Sequence, residues 1–436
     1  MLFSKLENIW SNIDYPFFRS SNGDSLYFNE LKNIDIEGLE KVNEGDVVAL
    51  IGDFDPYSIT TFINLLEKGT IVVPLTSETK EQHEYFMEQS RCQYVFKKNK
   101  LIQTIEISQN KNTLLDSLRA RKRPGLILFT TGTTGRPKAI LHDFVPFIDR
   151  YSTPRQPLKA LSFLLFDHIG GLNTLLHMLF NQGQVVSLKT RTVESVIQCM
   201  NKYSIELLPT TPTFLRMLSL YPEIEKEIPK SLKIISYGTE RMDQPTLDRL
   251  CKQFPKIDFR QTYGMSELGI LRIKSLARNS LFMKVGGEGI ETKITNNILF
   301  IKAKNRMLGY LNSESPFDNE GWYCTKDIVE ASEGGFIKIV GRNSDLINVG
   351  GLKFMPSEVE MECLKFSEIK HVKALGMSNP ITGQHLELLI ELEEGIDSKL
   401  FKNFLLSELK NKLPKYMLPS KIKFGKLKIS HRFKKS

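Results

Sequence analysis

Short apolar runs bounded by turn-forming residues recur through the first two thirds of the chain. Asp46–Gly52 (DVVALIG) and Gly69–Leu75 (GTIVVPL) are apolar on both faces, the pattern of strands buried in a parallel sheet. The stretch between them, SITTFINLLEKG, spaces its apolar residues for a helix that stops at Gly69. Together they predict a β-α-β unit, with Pro74 marking the end of its second strand. The alternation returns downstream: GLILFT as strand, LNTLLHMLFNQ as helix, GQVVSL as strand, VESVIQCMNKY as helix and IELLPT as strand. This order predicts mostly parallel sheet with helices on both faces.

After about Gly286 the pattern changes. ETKITNNILFIKA, GWYCTKDIVEA and GGFIKIVG are short alternating runs joined by turns at Asn296–Asn297 and Gly334–Gly335, which predicts a small antiparallel barrel or sheet. Beyond Gly341, PSEVEMECLKF predicts a helix with a proline start, LELLIELEEG a strand, and SKLFKNFLLSELKNK a second helix. The expected fold class is α/β: a large N-terminal domain, residues 1–341, of mostly parallel sheets with helices plus a small β-barrel, followed by a small α+β domain, residues 342–436.

Composition narrows the function. The chain has 436 residues, 41% hydrophobic and 25% charged, as soluble globular proteins do. No apolar run reaches the roughly 18–20 residues that span a bilayer, so no transmembrane segment is expected. The N-terminus lacks the basic-then-apolar layout of a signal peptide. Cys92, Cys199, Cys251, Cys324 and Cys363 are scattered, with no C-x-x-C pair, which argues against a zinc site or disulfide framework and fits a cytoplasmic protein. The net charge of +9 is uneven: Leu409–Ser436 holds ten Lys/Arg and no acid. Such a stretch is either a solvated tail or a surface for a polyanion. Aromatics barely interleave with it and no nucleic-acid motif occurs, so nucleic acid is not expected as a partner.

The densest chemistry is LFTTGTTGRPKAILHDF, Leu128–Phe144. Thr130, Thr131, Gly132, Thr133, Thr134 and Gly135 follow an apolar run. Glycines allow close backbone approach to phosphate oxygens, successive amides form an anion nest, and Lys138 adds charge. It is not a Walker loop, because Pro137 precedes Lys138 and Ala139 follows it. Alone, a Gly/Thr loop is a plain turn more often than a phosphate site.

TTGTTGRPKA resembles the phosphate-loop signature of the adenylate-forming superfamily, which includes acyl-CoA synthetases, aryl-CoA ligases and peptide-synthetase adenylation domains. The usual form has serine at Thr131 and glycine at Ala139. Four further matches follow in the family's order: QTYGMSE (Gln261–Glu267), GWYCTKD (Gly321–Asp327) with Lys326 in place of a glycine, GRNSDLINVGGLKFMPSEVE (Gly341–Glu360), and PKYMLPSKIKF (Pro414–Phe424). The resemblance implies ATP-dependent activation of a small carboxylic acid to acyl-AMP with release of pyrophosphate, then transfer to a thiol. The thiol would be coenzyme A, or the phosphopantetheine of a carrier protein; a catalytically degenerate binding member is the alternative. It implies that the small domain is mobile. It also assigns residues. The Thr130–Gly135 loop and Lys138 would cradle phosphates, with Thr131 and Ser266 as hydroxyl contacts. Glu267 would hold Mg²⁺. Asp327 would bind the ribose and Arg342 the ribose or phosphate. Tyr263, beside Gly264, would stack on adenine, and Gly238 of SYGTE would flank the base.

LLFDHIGGLNTL (Leu164–Leu175) resembles the element that closes over the substrate carboxylate, making His168 the candidate contact. Asp167 stands one step from the position where amino-acid-activating members place an aspartate. The C-terminal lysine falls on Lys434, with Lys435 as the alternative register, because the usual proline and glycine are missing from LKISHRFKKS. Ser344 replaces the usual hinge Asp or Lys.

Overall fold

The computed structural model describes residues 2–106, 111–130 and 136–427. Two seven-stranded sheets build the large domain. In the first, Gly125–Thr130, Ile71–Leu75, Val47–Ile51 and Tyr94–Lys97 run parallel, in that order. Antiparallel strands flank them: Lys100–Thr104 at one edge, Lys138–Asp143 and then Gly309–Tyr310 at the other. The predicted β-α-β unit is present, with Val47 to Ile51 registered on Ile71 to Leu75. Its helix starts earlier than expected, at Pro56, because Asp55 caps it by accepting from the amides of Tyr57 and Ser58. Pro74 is the penultimate residue of its strand, one place from the end. Pairing with Gly125–Thr130 is confined to Ile71 and Val72, so a residue without an N–H is tolerated beyond them.

The second sheet carries the later alternation. Asp258–Gln261, Ile234–Tyr237, Leu207–Thr210, Lys159–Ser162, Gln184–Ser187 and Phe18–Arg19 are parallel, and Ser25–Leu26 closes the edge antiparallel. The predicted run of strands is therefore split. Gly125–Thr130 turns back into Lys138–Asp143, and the chain then enters the other sheet. Six antiparallel strands stand in the place of the expected barrel as a curled sheet, from Ile273–Ser275 to Ile290–Thr295. Its predicted turn holds both Asn296 and Asn297 at positive φ, 51° and 60°, as a two-residue hairpin requires.

Residues 347–424 form a separate five-stranded sheet with the helices Pro356–Leu364 and Ser398–Lys412. Its core is its own: Ile347, Val359, Val372, Leu388 and Leu405 pack together and are almost wholly buried. The molecule is thus a large N-terminal domain with a small C-terminal one. No helix among the described residues is long and apolar enough to cross a membrane.

Candidate active site

A cavity of about 650 Å³ opens at the carboxyl ends of the second sheet's strands, against the curled sheet. Open parallel sheets bind ligands at this edge. Thr130, Lys138, His168, Gly238, Gly264, Ser266, Glu267 and Arg342 all line it, brought together from separate stretches of the chain. Thr131, Gly132, Thr133, Thr134, Gly135 and Lys434 lie outside the described residues.

One wall is a relay of contacts around Glu267. Strand Gly309–Tyr310 pairs with Leu141 and Ile140, which sets Tyr310 beside Lys138. The Lys138 ammonium lies 4.6 Å from the Tyr310 ring centroid, and the Tyr310 hydroxyl donates to Glu267 Oε1 at 2.6 Å. The main chain of Glu267 is fixed as well, its carbonyl accepting from the Met307 amide at 2.8 Å. Burial, and then the Glu267 carboxylate, push the phenols of Tyr310 and Tyr323 well above the usual tyrosine range. Both stay protonated and act as donors toward that carboxylate. His142 props the adjoining turn from beneath: its Nε2–H donates to the Ser266 carbonyl at 2.7 Å. Burial pushes this imidazole down to about 3, against which the Ser266 bond works only in part.

A second group sits where two strands of the curled sheet face each other. Asp327 and Arg342 are cross-strand partners, and Arg342 Nε donates to Asp327 Oδ1 at 3.2 Å. Tyr263 donates its hydroxyl to Asp327 Oδ2 at 2.6 Å. Tyr263 and Asp327 do not line the cavity; they are joined to each other behind Arg342, which does. Burial raises Asp327 above the ordinary carboxylate range, in spite of the Tyr263 hydrogen bond and the Arg342 charge. Beside it, Lys326 lines the cavity with φ at +61°, where glycine is the easy residue and the family pattern has one.

The opposite wall is the helix Ile169–Phe180. His168 is its N-cap, with Nδ1 accepting from the Gly170 amide at 3.0 Å. The neutral ring therefore carries its proton on Nε2. One face of the helix lines the cavity with Gly170, Asn173, Thr174, His177 and Met178. Asp167 is turned away from the cavity. It is buried, and its Oδ2 accepts from Thr76 at 2.9 Å and Thr79 at 3.3 Å, which ties the helix start to the first sheet. It does not line the cavity.

Sequence patterns did not single out Tyr310, His142, Asn173 or His177. Tyr310 lies between motifs and is recruited only by strand pairing. Asn173 and His177 follow His168 at helical spacing, a signal present in the sequence once the helix face is known. Gly264 does carry a readable signal. A Cβ there would sit 2.4 Å from the Gly269 carbonyl, so only glycine permits this hairpin to close beside the cavity.

Residues 37–288 match the family described as AMP-binding enzyme, which is more than half of the chain. The chain belongs to the AMP-binding enzyme family. Among curated members, 2-succinylbenzoate–CoA ligase of Staphylococcus epidermidis is 27% identical over 68% of this chain and 64% of its own length. The match thus spans somewhat less than two thirds of that relative. The enzyme of the same name from Listeria innocua is 23% identical over 89% of this chain and 90% of its own length. Solved structures share the fold. The anthranilate CoA ligase AuaEII in complex with anthranoyl-AMP superposes with TM-score 0.81 at 15% identity, covering 99% of this chain and 95% of that one. The o-succinylbenzoate CoA synthetase of Bacillus subtilis, in complex with its acyl-adenylate intermediate, gives 0.75 at 20% identity, covering 99% and 96%.

Proposed function

We propose that this AMP-binding enzyme is an ATP-dependent acid–thiol ligase that makes an acyl-AMP and passes the acyl group to coenzyme A. One observation carries the reading: a single cavity gathers side chains from the phosphate-loop, FDHIGG, SYGTE, YGMSE, GWYCTKD and GR stretches. In the first step a substrate carboxylate oxygen attacks the α-phosphorus, the bond to the bridging oxygen breaks, and pyrophosphate leaves. Lys138 and Thr130, with Thr131–Gly135, would face the phosphates as that charge gathers. His168 Nε2–H would donate to the attacking carboxylate, holding it in line. Asp327 would accept from ribose hydroxyls and Arg342 would contact the ribose or phosphate. Gly238 and Gly264 would admit the adenine close to the backbone, with Tyr263, next to Gly264 but outside the present lining, as the ring to stack on it. Lys434 would bridge carboxylate and α-phosphate. The domain division falls at Arg342 on this reading.

The cavity suits Mg²⁺ held mainly by phosphate and water. Glu267 and Glu314 are its lining carboxylates, and among the described residues no group of three His, Cys, Asp or Glu could hold a metal alone. Bound there, the ion would neutralise the leaving pyrophosphate; Glu267 is the residue to hold it. For the acid, Leu164, Ile169, Met178, Leu207 and Ile270 offer apolar wall, with Asn173 and His177 as polar points. This fits an aromatic or otherwise bulky carboxylic acid with a second polar group. The curated relatives named for 2-succinylbenzoate make that compound the first to try. A carrier-protein thiol is the second reading, favoured by exposed Lys410, Lys415, Lys421 and Lys426 on the small domain. Five free thiols fit a cytoplasmic setting.

The test is incubation with ATP, Mg²⁺ and a panel of carboxylic acids led by 2-succinylbenzoate, reading pyrophosphate and then thioester with coenzyme A or a holo carrier protein. Acid-dependent pyrophosphate release followed by acyl-CoA is expected. No release with any acid would overturn the reading in favour of a degenerate binding member. Turnover with the carrier alone would move the acceptor to carrier protein.

A further inference from the structure

Arg216 lies on the helix Pro212–Ser219, which follows directly from the cavity-lining Pro209 and Thr210. The residue itself does not line the cavity and is only 2% exposed. Every nitrogen of its guanidinium is engaged. Nη1 donates to Thr246 Oγ1 at 2.9 Å within the large domain. Nη2 donates to the Ile369 carbonyl at 2.7 Å and Nε to the Lys370 carbonyl at 2.6 Å. Ile369 and Lys370 open the long strand Ile369–Asn379 of the small domain. A cation rooted in one domain therefore holds two main-chain carbonyls of the other. Carbonyls that accept a buried guanidinium form strong, directional hydrogen bonds.

The same orientation leaves the Gly350–Gly351 turn in open space. A Cβ at either glycine would meet no heavy atom within 4 Å, Leu352 is 53% exposed, and no residue of NVGGLKF lines the cavity. The ligase reading carries two steps at this one cavity, and the resemblance to the adenylate-forming superfamily implies that the small domain turns between them.

We propose that Arg216 is a positioning residue that clamps the small domain in the orientation serving acid activation, and that its release governs passage to thioester formation. This rests on the ligase reading above. The clamp biases rather than locks the domain, because water can replace its hydrogen bonds when the domain turns.

Arg216→Met keeps most of the stem and removes the donors; Arg216→Lys keeps the charge and restores some of them. Arg216→Met should lower the rate of pyrophosphate release about tenfold, with KM for ATP and acid within about twofold. Conversion of supplied acyl-AMP and coenzyme A to thioester should stay within about twofold of wild type, and Arg216→Lys should fall between. Small-angle scattering should show a more extended particle for Arg216→Met. The scattering reads the clamp even if wild-type protein releases no pyrophosphate, in which case the ligase reading falls and the clamp is judged alone. An unchanged scattering profile would overturn the clamp. So would equal loss in both half-reactions. If Arg216→Met does not fold, Arg216→Lys carries the same two readouts.

Discussion

His142 shows what burial does to one side chain beside the cavity. Its folded pKa is pushed down to about 3 from an ordinary 6.5, so the folded state resists a proton that the unfolded chain accepts. Stability from this residue is present above about pH 6.5 and is lost as pH falls toward about 3. In that window it should fall by up to roughly 1 kcal/mol per pH unit. Urea midpoints measured from pH 7 to pH 4.5 should show a steeper decline for wild type than for His142→Gln. Equal slopes would mean that the ring is hydrated or protonated in place. The sequence offered no sign of this role, because HDF follows the phosphate loop as an ordinary strand end. Asp167 is the converse case. It lies next to a motif histidine, yet Thr76 and Thr79, just past a strand of the other sheet, claim its carboxylate. Which way a side chain faces at such a boundary depends on partners far off in the chain.

At the scale of elements, periodicity was informative and pairing was not. The helices Val193–Tyr203 and Ser398–Lys412 and the strand Gly125–Thr130 lie where apolar spacing and turn residues place them. The distribution of strands between two sheets was not legible, since a buried parallel strand looks alike in either. Lys138–Asp143 was hidden because a loop signature runs into it. The start of the helix Ile169–Phe180 shows how tightly elements fit at the site. A Cβ on Gly171 would lie 1.9 Å from the Leu165 carbonyl, and backbone cannot yield as a side chain can. Gly171→Ala should cost about 2–3 kcal/mol of stability. Gly170→Ala should cost less, because its nearest neighbour is the flexible Leu164 side chain. Urea unfolding of the two variants checks the order; the reverse order would show that the helix start shifts freely.

Across the whole molecule, charge is less free than composition suggests. The basic stretch from Leu409 onward contains no acid, but the fold supplies some. Lys423 pairs with Glu387 at 2.6 Å and Lys412 with Glu408 at 3.2 Å. Lys421 and Lys426 remain exposed on the small domain. If they steer an anionic thiol, thioester formation should slow as salt rises past the roughly 10 Å screening length of 0.1 M, while pyrophosphate release changes less. Lys421→Glu with Lys426→Glu should reproduce the loss at low salt. A second step indifferent to both would remove steering from the account. Lys423 is the poor choice for this test, since its reversal also sets two carboxylates against each other.

Asp327 has two oxygens, and both are spoken for: Tyr263 holds one and Arg342 the other. Arg342 is also the final residue of its strand, and the short turn Asn343–Asp345 that follows leads straight into the small domain. Any newcomer that brings hydroxyls to this carboxylate must share it with Arg342 or dislodge it. On the ligase reading that newcomer is the ribose, and its grip would then fall on the residue from which the small domain hangs. Filling the cavity would pull on the joint as well.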